Sequence, residues 1–191
     1  MHIGEKMDKQ YRLALLILLI PLMTLVASTL TFYLGYKPSE INANGTPLDP
    51  KIETKNFILV EEDGSRFIFK PGKWYFVYFD DFSNEDFSLD RYKIARSSKA
   101  TLRRESHRLR RLVIYKDKEM FNEAESLKSK FPEVIFLYDE GDIFRKSISE
   151  NLSDPYMSKS MFLVDSFALV VWEFNVGLSF SDIFEDLEQL L

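Results

Sequence analysis

The residues with the most evident chemical potential are five acids that lie close together in the middle of the chain. Positions 80 to 90 contain no base and five carboxylates: Asp80, Asp81, Glu85, Asp86 and Asp90. Carboxylate oxygens are the ligands that hard cations such as Ca²⁺ prefer. Their order matches no calcium-loop spacing, and acids in the first turn of a helix also complement its dipole. Helix stabilisation is therefore the simpler interpretation, and a metal carrier or enzyme that uses non-thiol ligands is the alternative.

A serine and a histidine raise the question of hydrolytic chemistry. Ser83 lies among the acids, and His107 is the only histidine besides His2. A nucleophile elbow would place glycines two residues on either side of the serine, where this chain has Asp81 and Glu85. The chain contains no cysteine, which excludes a thiolate nucleophile, a disulfide and thiolate-bound metals. We therefore expect no enzyme, and we predict no catalytic, cofactor-binding or metal-binding residue.

A strongly basic segment follows the acids. Between Arg91 and Arg111 there are nine Lys and Arg residues and one acid, Glu105. Such a surface can lie against anionic headgroups or an acidic partner, although a solvated helix face neutralised by neighbouring acids explains it as well. Apolar residues in the preceding loop indicate either packing or a contact patch. Together these features predict a partner-binding surface of seven residues: Phe82, Ser83, Phe87, Arg91, Arg96, Arg103 and Arg104.

The elements that must position these residues begin at about residue 56, where short β-type runs alternate with helical stretches. Strands are predicted at 57–60, 66–69, 73–79, 112–115, 134–138, 160–164 and 168–174. Helices are predicted at 88–102, 118–130 and 179–191, the last opening with a capping-box-like Ser-x-x-Asp. This is the order of elements in a thioredoxin-like α/β domain, here residues 56–191. Periodicity alone leaves several α/β topologies open.

The N-terminal part of the chain predicts a membrane anchor. Leu13 to Tyr36 forms a run of 24 residues without an acidic or basic side chain. At about 1.5 Å per residue, this run is long enough for a helix that crosses a bilayer core of roughly 30 Å. The preceding bases Lys6, Lys9 and Arg12 predict a cytoplasmic head, residues 1–12, with the rest of the chain across the membrane.

Two further features qualify this organisation. Val26–Ser28 offers a small-residue cleavage site, so a cleaved signal peptide is the alternative to an uncleaved anchor. Residues 37–55 carry three prolines and several turn formers without periodicity, which predicts a linker. The apolar fraction of 46 % rules out a wholly disordered chain, and the net charge of −5 argues against a nucleic-acid binder.

Three segments carry a resemblance to a known family. Gly72–Phe79 with the helix after it, Arg108–Tyr115 and Met161–Asp165 resemble proteobacterial membrane-anchored thioredoxin-like proteins encoded with cytochrome c oxidase. These are distant relatives of the Sco/SenC copper chaperones. The resemblance covers the whole chain, from the head to the C-terminal helix. It implies attachment to the inner membrane by a single span, a periplasmic domain, and a respiratory oxidase subunit or assembly factor as partner.

The sequence departs from that family where the family's chemistry resides. The family places Cys-x-x-x-Cys at the start of the helix after the first long strand, where the helix N-terminus lowers thiol pKa and the pair can bind Cu(I). The alignment puts Ser83 and Phe87 in these positions. Lys159-Ser160 replaces the proline common before the penultimate strand, and Ala168 replaces a turn glycine. The resemblance without thiols predicts a non-enzymatic accessory protein that acts by binding in the assembly of cytochrome c oxidase or another respiratory complex.

Overall fold

A computed structural model describes residues 3–34 and 43–191, and the chain divides into two compact units with their boundary after position 42. The first unit contains one helix, α1 (Ile3–Tyr33). Its segment Tyr11–Thr31 is long and apolar enough to cross a membrane and is exposed throughout, which makes α1 a candidate membrane anchor. The helix covers most of the predicted span, whose last residues, including Tyr36, lie outside the described residues.

The second unit is built on an eight-stranded mixed sheet. Its strands are β1 (Thr46–Glu53), β2 (Leu59–Val60), β3 (Arg66–Phe67), β4 (Trp74–Asp80), β5 (Leu109–Tyr115), β6 (Val134–Asp139), β7 (Met161–Val164) and β8 (Leu169–Phe174). They lie in the order β1-β8-β7-β4-β5-β6-β2-β3. The β4–β5 and β5–β6 pairs are parallel, and the remaining pairs are antiparallel. Because β4 is central and covered on both faces, its sequence is a nearly continuous apolar run.

Helices cover both faces of this sheet. They are α2 (Glu85–Thr101), α3 (Phe121–Lys130), α4 (Ile143–Ser149), α5 (Pro155–Ser158) and α6 (Phe180–Leu190). One buried cluster includes Tyr92 of α2, Leu127 of α3 and Leu187 of α6. The other includes Phe144 of α4 and Tyr156 of α5. The second unit therefore has a helical layer on each side of one sheet.

The predicted linker is in part a strand. Residues 46–53 form β1, which pairs with β8 from Thr46↔Glu173 to Glu53↔Leu169. An edge strand tolerates Pro47 and Pro50 because one side of its backbone needs no ladder partner. The folded unit therefore begins by Ala43, and the predicted start at residue 56 is wrong. Residues 37–42 of the predicted linker lie outside the described residues.

The predicted capping box is present at the start of α6. The Ser179 side chain accepts a hydrogen bond from the Asp182 backbone N–H (3.3 Å), and the Asp182 carboxylate accepts one from the Ser179 N–H (2.8 Å). We expect Ser179→Ala to lower the free energy of unfolding by about 1 kcal/mol, because a helix N–H loses its partner. Urea unfolding followed by circular dichroism measures this. Ser181→Ala, at an exposed position of the same helix, is the control, and equal effects of the two substitutions would contradict the assignment.

Candidate functional site

The candidate site lies where β4 ends and α2 begins. The connection is the β4–α2 loop, residues 81–84, in which Phe82 has a positive φ of 53°. The side chain of Asn84 caps α2 by accepting a hydrogen bond from the Phe87 N–H at 3.1 Å. The carboxyl ends of neighbouring parallel strands are a common position for binding sites in α/β folds. The loop is therefore held in a defined conformation at this edge of the sheet.

Asp80 fastens the beginning of the loop to the core. Its buried carboxylate accepts a hydrogen bond from the Tyr92 hydroxyl at 2.6 Å and another from the Phe82 N–H at 2.9 Å. Burial, and then the charge of Asp80, raise the pKa of Tyr92 well above its ordinary value. Tyr92 therefore remains a neutral donor. Asp80 has a structural role in this arrangement and does not face solvent.

The side chain of Lys159, which lies two residues before β7, contacts the β4–α2 loop. Lys159 Nζ lies 2.6 Å from Asp81 Oδ1, and the Ser83 hydroxyl donates to the same oxygen at 2.8 Å. Asp81 and Lys159 are both largely shielded from solvent. Partial burial acts to raise the pKa of Asp81, but the hydrogen bonds from Lys159 and Ser83 outweigh it and lower the pKa below its ordinary value. The group Asp81–Ser83–Lys159 is named the loop clamp below.

The lowered pKa of Asp81 predicts a loss of stability in acid. Because folding lowers the pKa of this carboxylate, its ionised form stabilises the folded state. This stabilisation is complete above the unfolded pKa of 3.8 and is lost as pH falls through the lower folded pKa. The free energy of unfolding of the wild type should fall between about pH 5 and pH 3, and Asp81→Asn and Lys159→Gln should each make this fall smaller. Denaturant unfolding at several pH values measures this. Lys93→Gln, at an exposed position of α2, should keep the wild-type slope, and an unchanged slope in Asp81→Asn would contradict the prediction.

Apolar side chains border the loop clamp. Phe82 and Phe87 are half-buried and pack against the core, while Met157 of α5, two residues before Lys159, is 82 % exposed. Val176, just after β8, is also exposed. Nothing in the sequence marks Met157 or Val176 as a contact residue, because neither lies in a periodic pattern that indicates exposure. Aromatic residues and methionine are enriched at protein contacts, so these side chains offer a contact surface at this end of the domain.

The predicted seven-residue surface is not brought together. Phe82, Ser83 and Phe87 lie at the N-terminal end of α2, whereas Arg103 and Arg104 lie in a short turn beyond its C-terminal end. The 17 residues of α2 place these two groups about 25 Å apart. Arg96 is exposed on the helix between them.

Arg91 does not belong to any exposed surface, contrary to the prediction. It is only 5 % exposed, its guanidinium lies 5.1 Å from the centre of the Phe87 ring, and Nη2 donates to the Val176 carbonyl at 2.5 Å. Burial lowers the pKa of Arg91. This residue supports the rim of the site from within.

The five acids do not form a common cation site. Asp80 and Asp81 have the partners described above, Glu85 pairs with Lys130 at 3.0 Å, and Asp86 and Asp90 are exposed on α2. Within residues 3–34 and 43–191, no three His, Asp or Glu side chains are arranged to hold a metal.

The predicted serine and histidine are also separated. His107 lies in the turn Arg103–His107, with Nδ1 2.7 Å from the Arg104 carbonyl oxygen. The length of α2 lies between this turn and Ser83, so the two side chains cannot act together. His2 lies outside the described residues.

Comparisons with known proteins address the fold. No protein-family model matches this sequence, and no curated protein matches it. Yeast Sco1 with copper bound superposes with a TM-score of 0.56 at 19 % identity, covering 80 % of this chain and 92 % of that one. Arabidopsis thaliana ScoI with copper bound gives 0.53 at 17 %, covering 77 % and 97 %. The fold is that of the thioredoxin-like Sco proteins.

This confirms the predicted thioredoxin-like α/β class. A third structure, BsSco, described as a member of the Sco family of cytochrome c oxidase assembly proteins, gives 0.54 at 16 % identity and covers 75 % of this chain and 95 % of that one. At identities below 20 %, the likeness to Sco proteins establishes the architecture of the second unit.

The side chains at the candidate site do not fit copper. Cu(I) selects thiolate and thioether ligands. The chain has no cysteine, the Ser83 hydroxyl is bonded to Asp81, and Phe87 is apolar. Met157 supplies a single exposed thioether, which is too few soft ligands for a copper site. We therefore assign no copper-dependent step to this chain.

Proposed function

We propose that this protein is a non-enzymatic, membrane-anchored accessory protein that assists the assembly of cytochrome c oxidase or another respiratory complex by binding a protein partner. The proposal places the chain in the bacterial inner membrane, with the N-terminus cytoplasmic and the thioredoxin-like domain periplasmic. The partner is a respiratory oxidase subunit or an assembly factor. Support comes from the Sco fold, from the candidate anchor in α1, and from the resemblance of three sequence segments.

The observation that carries the proposal is the loop clamp. At the edge where the related family has reactive thiols, this chain has a salt bridge between Asp81 and Lys159, to which Ser83 is hydrogen-bonded. An ion pair with a hydrogen-bonded hydroxyl fixes the conformation of the loop, and it contains no redox centre. What the site presents to solvent is shape and apolar surface.

The proposed contact surface is smaller than the sequence indicated and lies at one end of the domain. It consists of Phe82, Phe87, Met157 and Val176 around the loop clamp. Aromatic residues and methionine are enriched at protein interfaces, where methionine adapts its shape to the partner. Arg96, Arg103 and Arg104 are not needed for this surface.

Gene deletion with complementation tests the function. Deletion should lower the amount of assembled oxidase and the association of its subunits, and the wild-type gene should restore both. We expect Met157→Asp to restore neither, because a buried interface anchor contributes roughly 1 to 2 kcal/mol, or about tenfold in affinity. Asn151→Asp adds the same charge at an exposed position and should complement fully. Unchanged oxidase assembly in the deletion strain would end the proposal.

The competing hypothesis of a metal carrier has its own test. The purified protein is titrated with Cu(I), Cu(II) and Ca²⁺. We expect no stoichiometric binding, because Asp80, Asp81 and Glu85 each have a separate partner and only Asp86 and Asp90 are left exposed on α2, which is too few carboxylates for such a site. One bound ion per chain, lost in Asp81→Asn, would favour the carrier.

A further inference from the structure

A second surface lies at the end of the domain opposite the candidate site. Three loops meet there: the turn between β7 and β8 (165–168), the loop before β4 (68–73) and the turn after α2 (103–107). The Gly72 N–H donates to the Ser166 carbonyl at 3.1 Å, and Lys73 Nζ donates to the His107 carbonyl at 3.1 Å. These contacts join the three loops into one surface, named the far pole below.

Two large apolar side chains protrude from the far pole. Phe167 is 83 % exposed and Ile68 is 71 % exposed. An open groove of about 550 Å³ lies beside them, with Phe57, Phe67 and Phe69 among its walls. Exposed apolar groups of this size next to an apolar groove mark a contact surface.

The exposure of Phe167 is built into the turn. The buried Asp165 carboxylate accepts hydrogen bonds from the Phe167 N–H at 2.8 Å and the Leu169 N–H at 3.0 Å. Ala168 is held at a positive φ of 62°, and its carbonyl accepts from the Thr54 hydroxyl at 2.8 Å. A turn fixed at so many points presents the Phe167 ring to solvent as a rigid tip.

Basic residues are frequent in the far pole and in the segments next to it. Lys70, Lys73, Arg103 and Arg104 lie in its loops, Arg66 lines the groove, and Arg108 and Arg110 follow the turn after α2. Among the acids at this end, Glu105 pairs with Arg108 at 2.9 Å and Glu53 pairs with Lys55, while Glu188 of α6 lines a cavity together with Arg103 and Arg104. The balance of charge at this end of the domain is therefore positive, although the whole chain has a net charge of −5.

We propose that the far pole docks on anionic phospholipid headgroups, with Phe167 and Ile68 entering the interfacial layer and the bases of its loops contacting phosphates. Exposed apolar side chains on a surface with an excess of bases match a bilayer interface, where each base near the surface adds to the attraction. A nucleic acid would use the bases but leave the aliphatic Ile68 unmatched. The candidate span of α1 brings a bilayer to the same chain.

The chain is long enough to allow this contact. β1 enters the sheet at the end near the candidate site, because Thr46 pairs with Glu173, and it extends for eight residues, or about 26 Å, towards the far pole. Eight residues separate the two described parts of the chain, and no chain of eight residues spans more than about 30 Å. Attachment of the domain at the opposite end therefore does not prevent the far pole from reaching a membrane surface.

The absence of cysteine from the chain permits a clean test. Ser166→Cys is labelled with an environment-sensitive fluorophore in the full-length protein, which is placed in nanodiscs of phosphatidylcholine with or without phosphatidylglycerol. We expect a blue-shifted emission only with phosphatidylglycerol, and its reversal by salt. Met157→Cys, labelled at the other end of the domain, should show no lipid-dependent shift.

Further substitutions in the labelled Ser166→Cys protein separate the contribution of the apolar side chains from that of the bases. Phe167→Ser with Ile68→Ser should abolish the shift, and Arg103→Gln or Arg104→Gln should each lower the ratio of docked to free domain roughly fivefold. Lys116→Gln, an equal charge change at the opposite end, should leave the ratio unchanged, and circular dichroism confirms folding of each variant. The proposal fails if position 166 gives the same emission with and without phosphatidylglycerol. It also fails if the shift requires single-stranded DNA in place of the anionic lipid.

Discussion

Replacing Phe79 with alanine is expected to lower the free energy of unfolding by about 3 to 5 kcal/mol. Phe79 is fully buried in β4. Its ring makes edge contacts with three aromatic residues at centroid distances of 5.1 Å (Phe144), 5.4 Å (Tyr156) and 6.0 Å (Phe162). Alanine removes apolar contact with all three and leaves a cavity that rigid neighbouring rings cannot fill.

The consequence reaches the candidate site. Tyr156 belongs to α5, which leads directly to Lys159 of the loop clamp, so the cluster around Phe79 also holds one side of the clamp in place. Chemical unfolding followed by circular dichroism measures the effect. Phe79→Leu should cost less than half as much, and Phe167→Ala, at an exposed ring, should change stability by less than about 0.5 kcal/mol. A similar loss in Phe79→Ala and Phe167→Ala would contradict the assigned core.

Two kinds of element were predicted best from the sequence: those stabilised by contacts between residues close in the chain, and those formed by a nearly continuous apolar run. The aromatic run of β4, the β7–β8 hairpin and the capping box at Ser179 were all predicted within a few residues. The short helices α4 and α5 were not predicted. Asp142 precedes α4 with a left-handed backbone, and α5 has only four residues, so neither helix shows a helical period.

The pairing of β1 with β8 at the edge of the sheet also could not be predicted from local sequence patterns. The segment that forms β1 contains two prolines, which indicate a loop, and it becomes a strand only because β8 offers an open edge. No short-range signal in the sequence identifies that edge. The predicted linker therefore extended too far along the chain.

The candidate site was also predicted only in part from the sequence. The position of the β4–α2 loop followed from the element order and the family resemblance. The partner of Asp81 did not, because Lys159 is 78 residues away and is brought to it by sheet topology. The burial of Arg91 was equally hidden. The inward face of α2 includes Ser88, Arg91 and Ser98, so the helix shows no apolar period that would mark the buried side.

Introducing two cysteines at the candidate site is expected to give the largest functional gain. We expect Ser83→Cys with Phe87→Cys to bind one Cu(I) per chain, whereas the wild type and each single variant bind none with comparable affinity. Ser83 lies in the loop just before the cap Asn84, Phe87 lies in the first turn of α2, and both side chains line the same small cavity beside the loop clamp. Both sulfurs can therefore reach one soft ion, and the helix N-terminus favours their thiolate forms.

A matched pair on the same helix isolates the effect of position. Ser97→Cys with Thr101→Cys has the same spacing at exposed positions in the last turn of α2, where the helix dipole opposes thiolate formation. Its thiols should react more slowly with iodoacetamide at neutral pH than those of the first pair. Its Cu(I) should be removed by a weaker competing chelator.

The outcome also bears on why the loop clamp exists. If the pair at 83 and 87 binds Cu(I), the scaffold can present two soft ligands at this edge of the sheet, and side-chain chemistry alone keeps the wild type from binding copper. If the folded double variant binds no better than the control pair, the Asp81–Lys159 bridge has fixed the loop in a conformation that copper cannot use. Adding Lys159→Gln to the double variant should then restore binding, because it releases the loop from the residue before β7.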